Sequence, residues 1–129
     1  MANRTFITSG TRWEDEYGYA RAVRVGNQIF VAGTAAADEQ GNVVGPSDPG
    51  AQMRFILTKI ERALQQLGGE MRHVVRTRMY VSDVRHYEPV VRAHGECFKD
   101  IKPVATLVEA RLIGPEYLVE VEADAVVTE

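Results

Sequence analysis

The C-terminal segment 118–127 constrains the fold most strongly, because its residues alternate between apolar and acidic side chains. The apolar side carries Val119, Val121, Ala123 and Ala125, and the acidic side carries Glu120, Glu122 and Asp124. Successive side chains of a strand point to opposite faces of its sheet, so this strand has one face suited to a core and one suited to water or cations. The segment therefore predicts a sheet that helices cover on one face.

A first amphipathic helix is predicted after residue 48. Asp48 is a suitable N-cap and Pro49 fits the first turn, while Gly68-Gly69 is typical of a helix end. Between them the apolar residues recur at helical spacing: Met53, Ile56, Leu57, Ile60, Leu64 and Leu67. This stripe is long enough to cover several strands of a sheet.

A second helix is predicted over residues 84–99, with Ser82-Asp83 as its cap. Its apolar stripe consists of Tyr87, Val90, Val91, His94 and Phe98. The pair Lys102-Pro103 then breaks the chain, because proline cannot continue a helix.

The remaining apolar runs predict strands. They cover residues 5–8, 21–25, 29–32, 74–81, 105–112 and 118–127. Gly26-Asn27 predicts a tight hairpin, because glycine accepts the positive φ that such turns need. Residues 9–19 and 38–50 are predicted to be turns and loops. The resulting order is ββαβαββ with an additional N-terminal strand, which indicates one α+β domain over residues 1–129, with a mixed sheet and two helices packed on one face.

Composition limits the function classes. The chain has 129 residues and a formal net charge of −3, which gives no overall basic surface for nucleic acid. Five arginines nevertheless fall in one short stretch: Arg72, Arg76, Arg78, Arg85 and Arg92. A single cysteine, the lack of a signal-like N-terminus and the lack of a membrane-length apolar run favour a cytoplasmic location.

The acidic face of the last strand has two interpretations that the residues leave open. It is either a solvated face, or it lines a subunit interface or shared cleft. In the second case Arg76, Arg78 and Tyr80, which share one face of the strand 74–81, would stand opposite the acids on a neighbouring strand.

Several motifs together resemble the RidA/YjgF family, which is also known as endoribonuclease L-PSP. The most specific is residues 103–126, PVATLVEARLIGPEYLVEVEADAV. Similar runs occur upstream: GY at 18–19, VGNQI at 25–29, AG at 32–33 and VRTRMYV at 75–81. The resemblance covers nearly the whole chain. It implies a chorismate-mutase-like fold and a homotrimer, with helices outside, sheets forming a central barrel and ligand clefts between subunits.

The resemblance also implies a chemistry. The best known members of the family hydrolyse reactive enamines and imines to keto acids and ammonia without a cofactor. Tyr19 matches the family's tyrosine, Gly33 its glycine and Glu120 the glutamate that handles a water. Three matched positions depart from the pattern. Ala32 stands where the family has a serine, and Ala105 where it has the arginine that holds the substrate carboxylate. Leu107 also replaces a cysteine that is common there.

The alanine at position 105 matters most for the substrate. A guanidinium on a carboxylate makes charge-assisted hydrogen bonds worth roughly 1.5–3 kcal/mol each, and alanine makes none. We therefore expect a divergent member of the family that is not a typical 2-imino acid deaminase. Arg78 and Arg92 are the candidates to replace the missing arginine.

For three single residues, the sequence leaves both a structural and a functional role open. Glu120 is either a general acid/base or a partner in an interface ion pair. His94 is either a proton shuttle at the cleft or a satisfied core residue, and Arg92 either reaches the cleft or pairs with Glu88 and Glu96 along its helix. Cys97 is predicted to be a packed thiol.

Two function classes follow. The first is a cofactor-free hydrolase or deaminase acting on a small imine, enamine or related carbonyl metabolite, bound in clefts of a homotrimer. The alternative is a non-enzymatic trimer that binds a small metabolite, with a carboxylate as a candidate ligand. An endoribonuclease is a third and weaker interpretation. The spacing of His73, His86 and His94 predicts no metal site.

Overall fold

A computed structural model describes residues 3–128 and shows one six-stranded sheet with two long helices. The strands are β1 Arg4–Ile7, β2 Ala22–Val25, β3 Gln28–Thr34, β4 Val74–Val81, β5 Val104–Glu109 and β6 Val119–Val126. The helices are α1 Arg12–Tyr17, α2 Pro49–Gln66 and α3 Tyr87–Phe98, with 3₁₀ turns at Met71–His73 and Val84–His86. The α+β class and the additional N-terminal strand are confirmed.

The order of the strands in the sheet is β1-β2-β3-β6-β4-β5. Strands β4 and β5 run parallel and all other neighbours run antiparallel, so the sheet is mixed as expected. The predicted hairpin is present: Val25 pairs with Gln28 across Gly26-Asn27, and Gly26 has a φ of 58°. Strand β6 occupies a central position between β3 and β4.

The core lies between the sheet and helices α2 and α3. All six residues of the stripe predicted for α2 are buried, and Met53, Ile56, Ile60 and Leu64 are 0% exposed. They meet the apolar face of β6, whose four apolar residues are also buried. Asp48 caps α2 by accepting a hydrogen bond from the N–H of Ala51 at 3.0 Å. The alternation in β6 and the stripe in α2 therefore describe the two sides of one core.

The segment 9–19 is not a turn throughout, as the sequence suggested, since residues 12–17 form α1. The carboxylate of Glu14, which is buried, accepts hydrogen bonds from the N–H groups of Ser9 at 2.9 and 3.0 Å and of Thr11 at 3.3 Å. Gly18 ends the helix with a φ of 74°. A single buried carboxylate thus holds a helix too short for periodicity to predict.

Two further boundaries differ from the expectation. The predicted second helix begins as a 3₁₀ turn at Val84–His86, and α3 proper starts at Tyr87, which is 53% exposed rather than part of the buried stripe. Ala93 is buried instead. Strand β5 ends at Glu109, three residues before the predicted end at Leu112.

No helix of the described chain has the length and apolar character that crossing a membrane would take.

Replacing Ile60 by alanine is expected to lower the free energy of unfolding by about 2–5 kcal/mol, because it leaves a cavity between α2 and the sheet. Urea unfolding at one fixed protein concentration measures the change. Glu61→Ala, on the exposed side of the same helix, is the control and should change stability by less than about 0.5 kcal/mol. Equal effects of the two variants would show that α2 does not pack as described.

Candidate functional site

Strands β4 and β6 bring basic and acidic side chains together on the face away from the helices. In register, Arg76 lies opposite Asp124, Arg78 opposite Glu122, and Tyr80 opposite Glu120, which confirms the predicted opposition. Nη1 of Arg78 lies 3.4 Å from both Glu122 Oε1 and Asp124 Oδ2. These side chains remain about a quarter to two fifths exposed within one chain. Pairs exposed to this degree contribute about 0–1 kcal/mol each, so they specify register more than stability.

Glu120 lies directly against Gly33 of β3. A bulge interrupts the β3–β6 pairing between Val31 and Thr34 and changes the direction of the strand there. A Cβ on Gly33 would collide with Oε2 of Glu120, so any other residue here would require the carboxylate to move. The sequence match at Gly33 and Glu120 thus corresponds to a real contact in the fold.

A cavity of about 630 Å³ opens beside this contact. Three of the residues singled out in the sequence line it, namely Tyr19, Ala32 and Gly33. Aromatic walls come from Trp13 and Phe55, while Glu120 is not among the lining residues and reaches the site at Gly33. The size falls within the usual range for small-molecule sites. A smaller cavity of about 310 Å³, near Glu109 and Pro115, contains none of the predicted site residues.

Arg21 is a cation that lines this cavity, and sequence reasoning missed it. Its Nη2 group donates to the carbonyl oxygens of Ala32 at 2.7 Å and Gly33 at 2.9 Å, and to Oγ1 of Thr34 at 2.8 Å. Burial lowers the pKa of Arg21, and the negative charges of Glu14 and Glu120 oppose that shift. Its position two residues after Tyr19 was the only signal in the sequence.

Lys59 of α2 is a second cation of the cavity that the sequence did not reveal. Its Nζ donates to the carbonyl oxygens of Ala35 at 2.8 Å and Ala37 at 2.9 Å. Burial is the main cause that lowers the pKa of Lys59, and the charge of Arg21 adds to it. The two cations are therefore close enough to influence each other.

His94 lies on the opposite side of the sheet from Glu120. Its Nε2 is 2.9 Å from Oγ1 of Thr77, a buried residue on the helix-covered face of β4, and its ring packs on Phe98. Burial lowers the pKa of His94, so the ring is held neutral. The structure thus places His94 as a hydrogen-bonded residue of the core edge, away from the cavity described above.

The two arginines expected to replace the missing anchor are both engaged elsewhere. Arg92 pairs along α3 with Glu88 at 2.8 Å, on the exposed surface of the helix. Arg78 is bound by the acids of β6, and neither arginine lines the cavity. Within one chain neither arginine reaches this cavity, and the role of either as an anchor stays a prediction.

Ala105 does not meet Glu120 within one chain. It pairs in register with Thr77, and it shares the face of Leu107, which packs against the core. Glu120 belongs to the other face of the sheet, and Ala105 lies on the edge strand with an exposed side chain. Contact between these two positions would therefore require a second subunit.

Two remaining predictions concern Cys97 and metal ligands. Cys97 is partly buried against the core, and this burial raises the pKa of its thiol, as expected for a packed cysteine. Among residues 3–128, no cluster of three or more histidine, cysteine, aspartate or glutamate side chains is arranged to hold a metal ion. His73 is instead tied to the backbone at Glu70 and Thr128, at 3.0 and 3.1 Å.

Comparison with known sequences identifies related proteins. The sequence pattern of the family described as Endoribonuclease L-PSP matches residues 8–127. The uncharacterized protein SCO2049 of Streptomyces coelicolor is 36% identical over 121 residues, which covers 92% of this chain and 89% of the relative. The similarity thus extends over nearly the full length of both proteins.

Solved structures show the same fold. Rv2704 of Mycobacterium tuberculosis, a member of the YjgF/YER057c/UK114 family, is 43% identical with a TM-score of 0.86, over 96% of this chain and 99% of that one. The Rid-family protein YyfA of Yersinia pestis, of unknown function, is 25% identical with a TM-score of 0.79, over 85% and 88% of the two chains. Both sequence and fold therefore point to one family.

The neutral state of His94 makes a prediction about pH. Because its folded pKa is lowered, the unfolded chain binds the proton more readily, so stability should fall as pH drops below about 6.5, the ordinary pKa of histidine. His94→Gln should remove this part of the slope, measured by urea unfolding between pH 8 and pH 5. His86→Gln leaves His94 in place and should keep it. An unchanged slope in His94→Gln would contradict the assignment.

Proposed function

The chain belongs to the endoribonuclease L-PSP family, also called the YjgF/RidA family, and on this basis we propose that it is a homotrimeric, cofactor-free hydrolase of the RidA type. Its substrate is a small imine, enamine or related carbonyl metabolite rather than a typical 2-imino acid. One observation carries the proposal. The Glu120 carboxylate lies against Gly33, and Gly33 and Tyr19, but not Glu120, line the cavity.

This arrangement suits the addition of water to a C=N bond. Glu120 accepts a proton from a water molecule as the water oxygen attacks the carbon of a protonated imine, which gives a neutral carbinolamine. The carboxyl group then returns this proton to the nitrogen. As the C–N bond breaks, the carboxylate takes the proton of the carbinolamine hydroxyl, so a carbonyl compound and ammonia form, and the ammonia leaves with this proton as ammonium. The hydroxyl of Tyr19 is a candidate donor to the substrate, because Tyr19 lines the cavity together with Gly33.

The absence of an arginine at position 105 supports a substrate other than a 2-imino acid. Neither Ala105 nor Ala32 can donate a hydrogen bond from its side chain. Arg78 and Arg92, the candidates for replacement, are held by carboxylates of their own chain. An imine whose carboxylate adjoins the C=N carbon would thus lack the clamp that an arginine at position 105 provides, and orientation supplies much of the rate.

The proposed trimer is supported by the uncovered face of the sheet. A row of cross-strand neighbours on that face contains Phe6, Val23 and Phe30, followed by Asp124 and Arg76. Phe6 is 60% exposed and Phe30 43% exposed. Exposed aromatic side chains beside partly exposed ion pairs are typical of a surface that a partner covers.

A ribonuclease is less well supported. All five arginines of the stretch noted in the sequence have carboxylate partners: Glu70 for Arg72, Asp124 for Arg76, Glu122 and Asp124 for Arg78, Asp83 for Arg85 and Glu88 for Arg92. Phosphate contacts would have to compete with these pairs. The stretch therefore does not form an open basic surface.

Light scattering on the purified protein is expected to give three times the chain mass. Phe30→Glu should shift the mass toward the monomer, because it places a second negative charge beside Asp124 on the proposed interface. Val84 lies in the 3₁₀ turn before α3 and is 59% exposed, more than Phe30, so Val84→Glu is the control and should remain trimeric. A monomeric parent protein would remove the shared clefts and with them this proposal.

The reaction is tested by the lag between amine oxidation and ammonia release. An amine oxidase acting on an ω-amino acid generates an imine with a remote carboxylate, and an amino-acid oxidase generates 2-iminopropionate from alanine. The protein is expected to shorten the lag strongly for the first imine and little for the second. Glu120→Gln should reduce the effect by about 100-fold or more, because the variant cannot take up the proton.

Each other outcome has a distinct meaning. Equal activity on 2-iminopropionate would show that Ala105 is not a functional loss. No effect on either imine, with the trimer intact, would favour the non-enzymatic metabolite-binding trimer. Ala105→Arg is the matched gain-of-function variant, and it should raise the activity on 2-iminopropionate if the clamp is the only missing part.

A further inference from the structure

Two cations line the cavity without a carboxylate partner. Among residues 3–128, Arg21 and Lys59 form no ion pair within 4.0 Å, whereas most other basic groups discussed above do. Both are partly buried, and burying an unpaired charge is costly. Backbone carbonyl oxygens compensate part of that cost. A cavity built this way favours an anion as the missing partner.

Each cation is fixed on one side and keeps unused donors. Lys59 has three N–H groups, of which two donate to Ala35 and Ala37. In Arg21 the bonds to Ala32, Gly33 and Thr34 all come from Nη2. Its Nη1 has no hydrogen-bond partner among residues 3–128, and unlike Nε it is not a fully enclosed atom. The free donors thus belong to side chains that are already rigidly held.

The acids that line the cavity are occupied by other groups. Glu14 is bound by the N–H groups of Ser9 and Thr11, and Asp38 by those of Gln40 and Asn42. Glu39 pairs with Arg62 at 3.6 Å, and both side chains are well exposed. The charges of Glu14 and Glu120 act on Arg21, and that of Asp38 on Lys59, but none lies within ion-pair distance. Two positive charges therefore remain for a ligand.

We propose that Arg21 and Lys59 bind the carboxylate of a small organic acid, with its apolar part against Trp13 and Phe55. The aromatic walls favour an organic acid over an inorganic anion, since they offer contact to carbon rather than hydrogen bonds. The proposal extends the proposed function, on which it rests in taking this cavity as the substrate site. In this proposal, Arg21 binds the substrate carboxylate that an arginine at position 105 would otherwise bind.

Benzoate is a suitable probe, because it joins a carboxylate to an aromatic ring, and benzamide is its neutral counterpart. Binding is followed on the intact protein by the fluorescence of Trp13, which is the only tryptophan of the chain, and by calorimetry. Benzoate is expected to bind at least tenfold more tightly than benzamide or inorganic phosphate. Its affinity should also fall as salt concentration rises.

Variants assign the binding to the two cations. Lys59→Gln removes the charge but keeps a donor for the carbonyls, and should weaken benzoate binding at least tenfold. Arg21→Lys keeps the positive charge but lacks the paired N–H donors of the guanidinium, so it should also weaken benzoate binding. Arg54→Gln removes one cation from the exposed side of the same helix and should change the affinity less than threefold. If Arg21→Lys fails to fold by circular dichroism, Lys59→Gln alone decides.

Several results would overturn the inference. These are no binding of benzoate, equal binding of benzoate and benzamide, parent-like binding by Lys59→Gln, or tighter binding of phosphate than of benzoate. The fate of the proposed function is separate. If benzoate binds as expected to the parent and the variants but the protein does not speed imine hydrolysis, the proposed anion site stands and the proposed enzymatic activity is refuted.

Discussion

The central strand β6 is the constraint on which the rest of the structure depends. Its apolar residues lie under α2, and its acidic residues face away from the helices. Because the side chains of a strand alternate, a shift of one residue in register would put Glu120, Glu122 and Asp124 into the core, at a cost no local contact could offset. The positions of β3 and β4, and hence of Gly33 and Arg78, follow from that register.

The candidate site exists because a regular strand is interrupted beside this rigid element. The bulge after Val31 redirects β3, and glycine at position 33 lets the Glu120 carboxylate approach the backbone. Arg21 then binds the carbonyl groups that the bulge leaves at Ala32 and Gly33. The same guanidinium thus stabilises an irregular backbone and contributes positive charge to the cavity, so structure and ligand binding are coupled at this residue.

Much of the fold was predictable because it depends on local patterns. The stripe of α2, its Asp48 cap, the Gly26-Asn27 hairpin and the alternation of β6 each follow from neighbours within a few residues. The missed helix α1 is instructive, since six residues carry no periodic signal and its stability comes from the buried Glu14. The exposed position of Tyr87 was also missed: it is the first residue of α3 and follows a 3₁₀ turn that the sequence pattern did not predict.

The sequence by itself determined the class of fold and the family, and it placed Arg76, Arg78 and Tyr80 on one face of their strand, because these depend on patterns along the chain. Only the tertiary structure decided which charges are paired and which remain free. Arg78 and Arg92 stood out in the sequence, yet carboxylates bind both. Arg21 and Lys59, 38 positions apart in the numbering, meet only when α2 packs beside β3. Partners so far apart in sequence are set by packing, which no local pattern encodes.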